Sequence, residues 1–422
     1  MRILWLSHLI PFPSQGGGVI QRSSNLLKAA SRNNDVTLLA FNQPEILRIY
    51  NKDINKSYTA ALEAMNSICK NTYTVEIDST NKLLGKHRLA LRSLFTRTPY
   101  SVNWLQSTEY IRQLMNITSE NQFDLIWFDT ISLAQYEKHI PNNGCIKIMN
   151  HHNIESDMML RRSQKSKNAL EKLYFFLESI KLKSYEKKNL SKYDINVTCS
   201  HLDSIRLEKL IPDITAKVIP NGVDTEYFKP KETTVTKVTK LIFIGGMSWY
   251  PNKEAMLFFT RNVWPLIKQL KLDVEMHIVG ELPPKEITNT ALSDDNFYVH
   301  GFVKDIRDIF NQASIYVCPI SDGGGTKLKI LDALAMGKPI IANPIACEGI
   351  DVTENKNVLY AETPEDYINH IKYLMNNTEA RNTISKNNIQ LIKEKYSYDV
   401  IGQKLNNLLQ DNTSKKEENK TP

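Results

Sequence analysis

Three consecutive glycines, Gly323 to Gly325, separate a β-branched run (ASIYVCPI, Ala313 to Ile320) from an amphipathic helical run ending at Gly337. Thr326 and Lys327 follow the glycines directly, and the apolar run IIA comes after Lys338-Pro339. The order is strand, glycine loop, helix, strand. Glycines let a backbone approach a ligand closely, and free N–H groups at a helix start attract anions. With Lys327 as a mobile cation, Gly325, Thr326, Lys327 and Leu328 read as a cradle for a phosphate-bearing ligand. A second glycine loop, Gly16 to Gly18, follows the run RILWLS, and His8 precedes it. His151 and His152 follow the strand-like run CIKIMN. An imidazole at a strand end can hydrogen-bond hydroxyls or stabilise developing charge, and an extended backbone points two successive rings apart.

Each group also has an ordinary reading. A glycine-rich loop can be only a tight turn, a loop histidine can be satisfied locally, and Glu155 can serve as a helix-start residue. Neither loop matches G-x-G-x-x-G with a following acid, and neither matches a P-loop, which disfavours a nicotinamide dehydrogenase and a P-loop NTPase.

The elements that must hold these groups follow from hydrophobic patterning. RILWLS, a helical pattern from Val19 to Arg32 and DVTLLAF form a βαβ unit, which requires a parallel sheet. Further strands are expected at Tyr73 to Ile77, Phe123 to Asp129, Cys145 to Asn150 and in DINVTCS, with a long helix from Ala169 to Asn189. AKVIPNGVD (Ala216 to Asp224) reads as a strand closed by an Asn-Gly turn, and PKETTVTKVTK (Pro230 to Lys240) as an interdomain linker. A second βα series starts at Leu241. At 422 residues two domains are the default. The expected organisation is α/β, with parallel Rossmann-like domains over 1–215 and 216–396, a helix over 397–410 and a disordered tail over 411–422. Ligands in such sheets sit beyond the carboxyl ends of strands, so the two glycine loops are expected to border a cleft.

Composition narrows the partners. Apolar content of 41% and charged content of 23% are ordinary for a globular chain. The 5 cysteines lack a Cys-x-x-Cys pair, which argues for reduced thiols in the cytoplasm and against zinc or disulfides. MRILWLSHLIPFP is broken by prolines and reads as a first strand, not a signal peptide. Residues 1–200 carry 26 Lys+Arg against 17 Asp+Glu, making this half the expected side for an anionic surface or substrate. Lys82 to Arg97 holds 5 of these cations and no acid, interleaved with Leu and Phe. It reads either as a basic amphipathic contact with anionic membrane or as an exposed helix packing its leucines inward. No nucleic-acid module is present, so no nucleic-acid partner is expected.

Five landmarks in order resemble retaining GT-B-fold glycosyltransferases of the family-four type (glycosyl transferases group 1). They are the GGGV loop, HHNIE at 151–155, VIPNGVDTEYFKP at 218–230, FIGGMSWYPNKEA at 243–255 and GGGTKLKILDALAMGKPIIA at 323–342. The resemblance covers nearly the whole chain. It implies two facing domains, a last helix crossing back to the first domain, and retention of configuration. It also implies a nucleotide diphosphate sugar as substrate, with no cofactor, and a glycan or lipid-linked acceptor; no metal is expected, because the sequence has no Asp-x-Asp signature.

By the resemblance, Gly17 and Gly18 border the donor, the helix start at Gly325 to Leu328 meets the diphosphate, and His152 lies by the donor sugar. His8, His151 and Glu348 are further candidates. Asp332 stands where a carboxylate, usually Glu, takes the ribose hydroxyls, although it also reads as a solvated helix-face acid. Two departures matter. Gly324 occupies a position where many relatives carry a glutamate near the donor sugar. The usual Arg and Lys after the first strand of the second domain are replaced by GGMSWYPNKE, leaving Lys253 as the nearby cation, or a plain surface lysine. A nucleotide-sugar epimerase on the same fold and a non-catalytic sugar-nucleotide binder are the alternatives.

Overall fold

The computed structural model describes residues 1–13, 17–48, 50–77, 85–166, 168–231 and 238–418. Apolar runs bounded by polar turns form two sheets, and all their paired strands run parallel. The first contains β1 (Arg2–Ser7), β2 (Asp35–Asn42), β3 (Asn71–Glu76), β4 (Leu125–Phe128), β5 (Ile146–Asn150), β6 (Ile195–Thr198) and β7 (Ala216–Val218). Its order is β3-β2-β1-β4-β5-β6-β7. The second contains β8 (Thr239–Ile244), β9 (Val274–Val279), β10 (Phe297–Gly301), β11 (Ile315–Cys318), β12 (Ile340–Ala342) and β13 (Val358–Tyr360), in the order β10-β9-β8-β11-β12-β13. Central strands such as β4 and β11 are buried along their whole length, as parallel strands covered on both faces must be.

The helices that bear on function are α1 (Gly18–Ser31), α2 (Gly85–Leu94), α3 (Glu155–Lys165), α4 (Ala169–Asn189), α5 (Tyr250–Phe258), α6 (Leu328–Ala335) and α7 (Tyr398–Glu418). The chain divides into unit 1, Met1–Pro220 with Ile401–Pro422, and unit 2, Asn221–Val400. The C-terminal helix returns to unit 1, where Ile401, Leu405 and Leu409, spaced one turn apart, join its core. The α/β organisation with two parallel-sheet units is thus as the patterning requires.

Three boundaries differ from the sequence reading. Ala216–Val218 pairs with β6, so residues 216–220 stay with unit 1 instead of opening the second domain. The segment after Pro220 already belongs to unit 2, because Val223 and Phe228 are buried in its core. Val223 N also donates to the Tyr396 carbonyl (2.8 Å). Of the proposed linker, 232–237 lies outside the described residues, and β8 begins inside it at Thr239. Residues 411–418 continue α7 rather than starting a tail. No proline interrupts that stretch, and 419–422 of the expected tail lie outside the described residues.

In each sheet the strand order reverses once, between β1 and β4 and between β8 and β11. That switch point is where open α/β sheets hold ligands, beyond the carboxyl ends of the strands.

Candidate functional sites at the two switch points

In unit 1 the parallel register sets Leu6 beside Phe128 and Phe128 beside Met149. The residues just past these positions are His8, Asp129 and His152. Asp129 is fully buried. Its Oδ2 accepts from Ser23 Oγ of α1 (2.5 Å), and its Oδ1 accepts from Asn150 Nδ2 (2.8 Å). Arg22 of α1 secures the same network, donating to Asn150 Oδ1 and to the Ile219 carbonyl, both at 2.8 Å. His152 Nε2 lies 3.0 Å from the Asp129 carbonyl oxygen, which can only accept, so Nε2 carries the hydrogen. It is also 3.4 Å from Asp129 Oδ1. The His8 ring meets His152 edge-on, with centroids 5.7 Å apart.

The charges in this cluster are coupled. Burial alone would raise the Asp129 carboxyl, but the His152 ring and its hydrogen bond, then His8 and Ser23, outweigh it and hold the group at about 2. Burial lowers His8 to about 4, with His152 adding to the effect and Asp129 opposing it. His8 Nδ1 is buried without a hydrogen-bond partner. Ligand-type atoms of His8, Asp129 and His152 all lie within 4.8 Å of one another.

His151 points away from this group, as strand alternation requires. It is buried, its Nε2 is 3.0 Å from Asn196 Oδ1, and burial lowers it to about 4. Its surroundings make it a core histidine, so the structure does not bring it to the site. Glu155 opens α3, and burial followed by the nearby Glu186 raises it to about 7. Gly17 caps α1 with a φ of 107°, a conformation that favours glycine, and Gly18 is the first residue of that helix.

In unit 2 the loop after β8 and the glycine loop after β11 meet. Asn252, near the start of α5, donates from Nδ2 to the Gly246 carbonyl (2.8 Å) and accepts at Oδ1 from Lys329 Nζ. The Lys329 ammonium also lies 4.8 Å from the Phe243 ring centroid and 5.6 Å from that of Trp249. The approach is close enough that a Cβ at Gly245 would sit 2.5 Å from Lys329 Nζ. Gly323, with φ of 99°, packs under Pro251 and Trp249, and Gly325 adopts φ of 67°. Gly324 lies outside the left-handed region, so its backbone would accept a side chain.

Lys327 has a different part from the one its position implies. It is buried as the N-cap residue of α6, and its Nζ donates to the carbonyls of Gly323 (2.7 Å), Gly324 (3.2 Å) and Gly325 (3.0 Å). It is not a mobile cation. Three donors on one ammonium hold the inward-turned loop carbonyls. The cation beside the loop is Lys329, which sequence reasoning passed over. Burial lowers its ammonium to about 8, with Cys318 and Asp332 opposing. Burial raises Asp332 to about 7, and Lys329 opposes that rise. Asp332 Oδ1 and Thr326 Oγ1 are buried without hydrogen-bond partners.

Of the other candidates, Leu328 is the first residue of α6, and Glu348 follows the short helix Pro344–Cys347 beyond β12. Lys253 is half-exposed with its ammonium 3.9 Å from Glu254, and its N donates to the carbonyl of Trp249 (3.2 Å), whose ring faces Lys329. In the basic segment 82–97, Lys82 to Leu84 lie outside the described residues, while Arg92 and Arg97 are exposed.

Residues 238–377 match the family model for glycosyl transferases group 1. An uncharacterised 44.6 kDa protein in the cps region of Klebsiella pneumoniae is 21% identical over 402 residues, covering 94% of this chain and 96% of its own. Among solved structures, sucrose-phosphate synthase from Thermosynechococcus elongatus shares the fold with a TM-score of 0.70 at 13% identity, over 98% of this chain and 100% of that one. HepE from Anabaena, in complex with UDP, has a TM-score of 0.64 at 14% identity, over 97% and 100%. The fold is GT-B. With the matched segment, which contains both loops of the unit 2 cluster, it makes the chain a glycosyltransferase.

Proposed function

We propose that the chain transfers a sugar from a nucleotide diphosphate sugar to a glycan or lipid-linked acceptor during surface-polysaccharide synthesis. Configuration is retained, and neither metal nor cofactor is required. The observation that carries this reading is the partnerless buried Asp332 Oδ1 within reach of the charge of the desolvated Lys329 ammonium, with Thr326 Oγ1, also buried and partnerless, at the end of the glycine loop. Buried polar atoms in a folded protein nearly always have partners, so such a set is matched by a ligand with hydroxyls and negative charge.

In this reading the amides of Gly325 to Leu328 and the Lys329 ammonium take the diphosphate and stabilise it as it departs. Asp332 accepts from the ribose hydroxyls. The resemblance assigns His152 to the donor sugar, with Asp129 fixing its ring, and Gly17, Gly18 and His8 remain candidates around it. HepE is a protein of this fold bound to UDP, which supports a nucleotide donor, and the Klebsiella relative comes from a cps region, which supports polysaccharide synthesis. No described helix is long and apolar enough to cross a membrane. The same reading puts the chain in the cytoplasm at the inner membrane face, with 82–97 touching anionic lipid. The non-catalytic alternative rests on the missing glutamate, at Gly324, and the missing arginine; Lys329 answers the arginine by supplying a cation.

A thermal-shift screen of nucleoside diphosphates and their sugars, followed by transfer assays, tests the proposal. Ligand binding to the native state must raise the melting temperature. Stabilisation with acceptor-dependent release of the nucleoside diphosphate is expected. Donor turnover without acceptor favours the epimerase, and no stabilisation by any nucleotide refutes the donor site.

A further inference from the structure

The outer face of α4 is apolar over its first half and basic over its second. Leu170, Leu173, Phe176, Leu177 and Ile180 are exposed, Leu170 by 80% and Leu173 by 55%. Spacings of three and four residues put them along one side of the helix. Farther on, Lys183, Lys187 and Lys188 are exposed, and the one exposed acid of α4, Glu171, bonds to Ser166 Oγ (3.1 Å).

The opposite face explains why the helix presents this side. Phe175, Glu178, Leu182 and Glu186 are buried. Glu186 accepts from Ser156 N at the start of α3 (3.2 Å). Glu178 accepts from Tyr100 N (2.8 Å) and from Lys181 Nζ (3.0 Å). Lys181 also donates to the Ser93 carbonyl (2.6 Å). These bonds fasten the end of α2 to α4. There Leu91 is exposed, Phe95 is 86% exposed, and Arg92 and Arg97 stand in solvent.

Large apolar side chains gathered at a surface mark an interaction site. A leucine and phenylalanine stripe bordered by lysine and arginine matches the interfacial zone of a bilayer, where the apolar groups enter the headgroup boundary and the cations meet anionic lipid. A second copy of the chain would bring the same lysines and no further exposed acid on α4. We propose that this face of α4, together with Leu91 and Phe95, docks on a membrane surface bearing anionic lipid. The proposal extends the contact assigned to 82–97 and is independent of the donor and of the reaction.

The test is flotation of the full chain with vesicles of phosphatidylcholine alone or mixed with phosphatidylglycerol. Binding to the mixed vesicles, weakened by salt, is expected. Leu173→Ser/Leu177→Ser/Ile180→Ser and Lys183→Glu/Lys187→Glu/Lys188→Glu should each lower binding about tenfold or more, with circular dichroism and melting unchanged. Arg92→Glu/Arg97→Glu reads the 82–97 contact separately. Absence of binding, or binding untouched by both α4 variants, overturns the proposal. So does a dimer in sedimentation that the leucine variant dissolves, because the face then belongs to a second copy.

Discussion

Replacing Lys329 with methionine keeps an unbranched side chain one atom shorter and removes its charge. Burial lowers this ammonium from 10.5 to about 8. At about 1.4 kcal/mol per tenfold, keeping it charged at neutral pH costs roughly 3 kcal/mol. A bound diphosphate supplies the missing counter-charge and offsets about that cost. Lys329→Met should therefore weaken nucleoside diphosphate binding by about 100-fold and change nucleoside binding by less than about threefold. The free variant should melt close to the wild type or above it, since loss of the bond to Asn252, about 1 kcal/mol, opposes removal of the burial cost. The pH dependence has a definite sign. The folded pKa lies below the unfolded one, so the group destabilises the free protein below about pH 8, and the penalty fades as pH climbs toward 10.5. Diphosphate affinity of the wild type should fall through the same window as the cation is lost, and the variant should show no such fall. Isothermal titration calorimetry with a nucleoside and its diphosphate, on both proteins at neutral and alkaline pH, measures each quantity. Equal losses for the two ligands, or a variant that keeps the alkaline fall, would refute the assignment.

Lys327→Met should act on the fold instead, costing about 3 kcal/mol as three half-buried carbonyls lose their shared donor, with nucleoside and diphosphate binding reduced alike; thermal melting beside the same titrations checks this. Gly323→Ala and Gly325→Ala should each cost about 1 kcal/mol or more because their φ values are positive, whereas Gly324→Ala should melt like the wild type. His152→Ala should lower turnover by about 100-fold or more with diphosphate affinity unchanged. It also removes a group that depresses Asp129. The wild-type contribution of Asp129 is present above its unfolded value of 3.8 and lost as pH falls toward about 2, so the variant should unfold at higher pH in an acid titration.

The fold was legible because parallel strands buried on both faces read as continuous apolar runs. RILWLS coincides with β1 and the helix over Ala169–Asn189 with α4. The unit boundary was less legible. AKV is too short to announce which sheet it joins, and only its ladder with β6 decides the matter. In unit 1, strand-end position marks both His152 and His151 as candidates, and alternation accounts for the turn of the His151 ring toward Asn196. Asp129 could not be found that way, because its role rests on Ser23, Asn150 and a histidine from another strand, all distant in sequence.

The misassigned lysine shows which local signal should have been weighed. Lys327 is adjacent to the glycines, and adjacency made it the apparent phosphate cation. As the N-cap residue it has an extended backbone, φ −82° and ψ 99°, and its side chain returns to the loop carbonyls. Lys329 stands in the first turn of α6, where side chains lean toward the helix N-terminus and so toward the end of β8. It also lies three residues before Asp332, a spacing that puts cation and acid on one helical face. Lys327 has no such relation to Asp332. Shared face with the ligand-reading acid, rather than nearness to the glycines, is therefore the criterion that picks the cation. It yields a sharper expectation: Lys329 and Asp332 should couple in a double-mutant cycle on diphosphate binding by about 0.5 kcal/mol or more, while Lys327 and Asp332 should be additive.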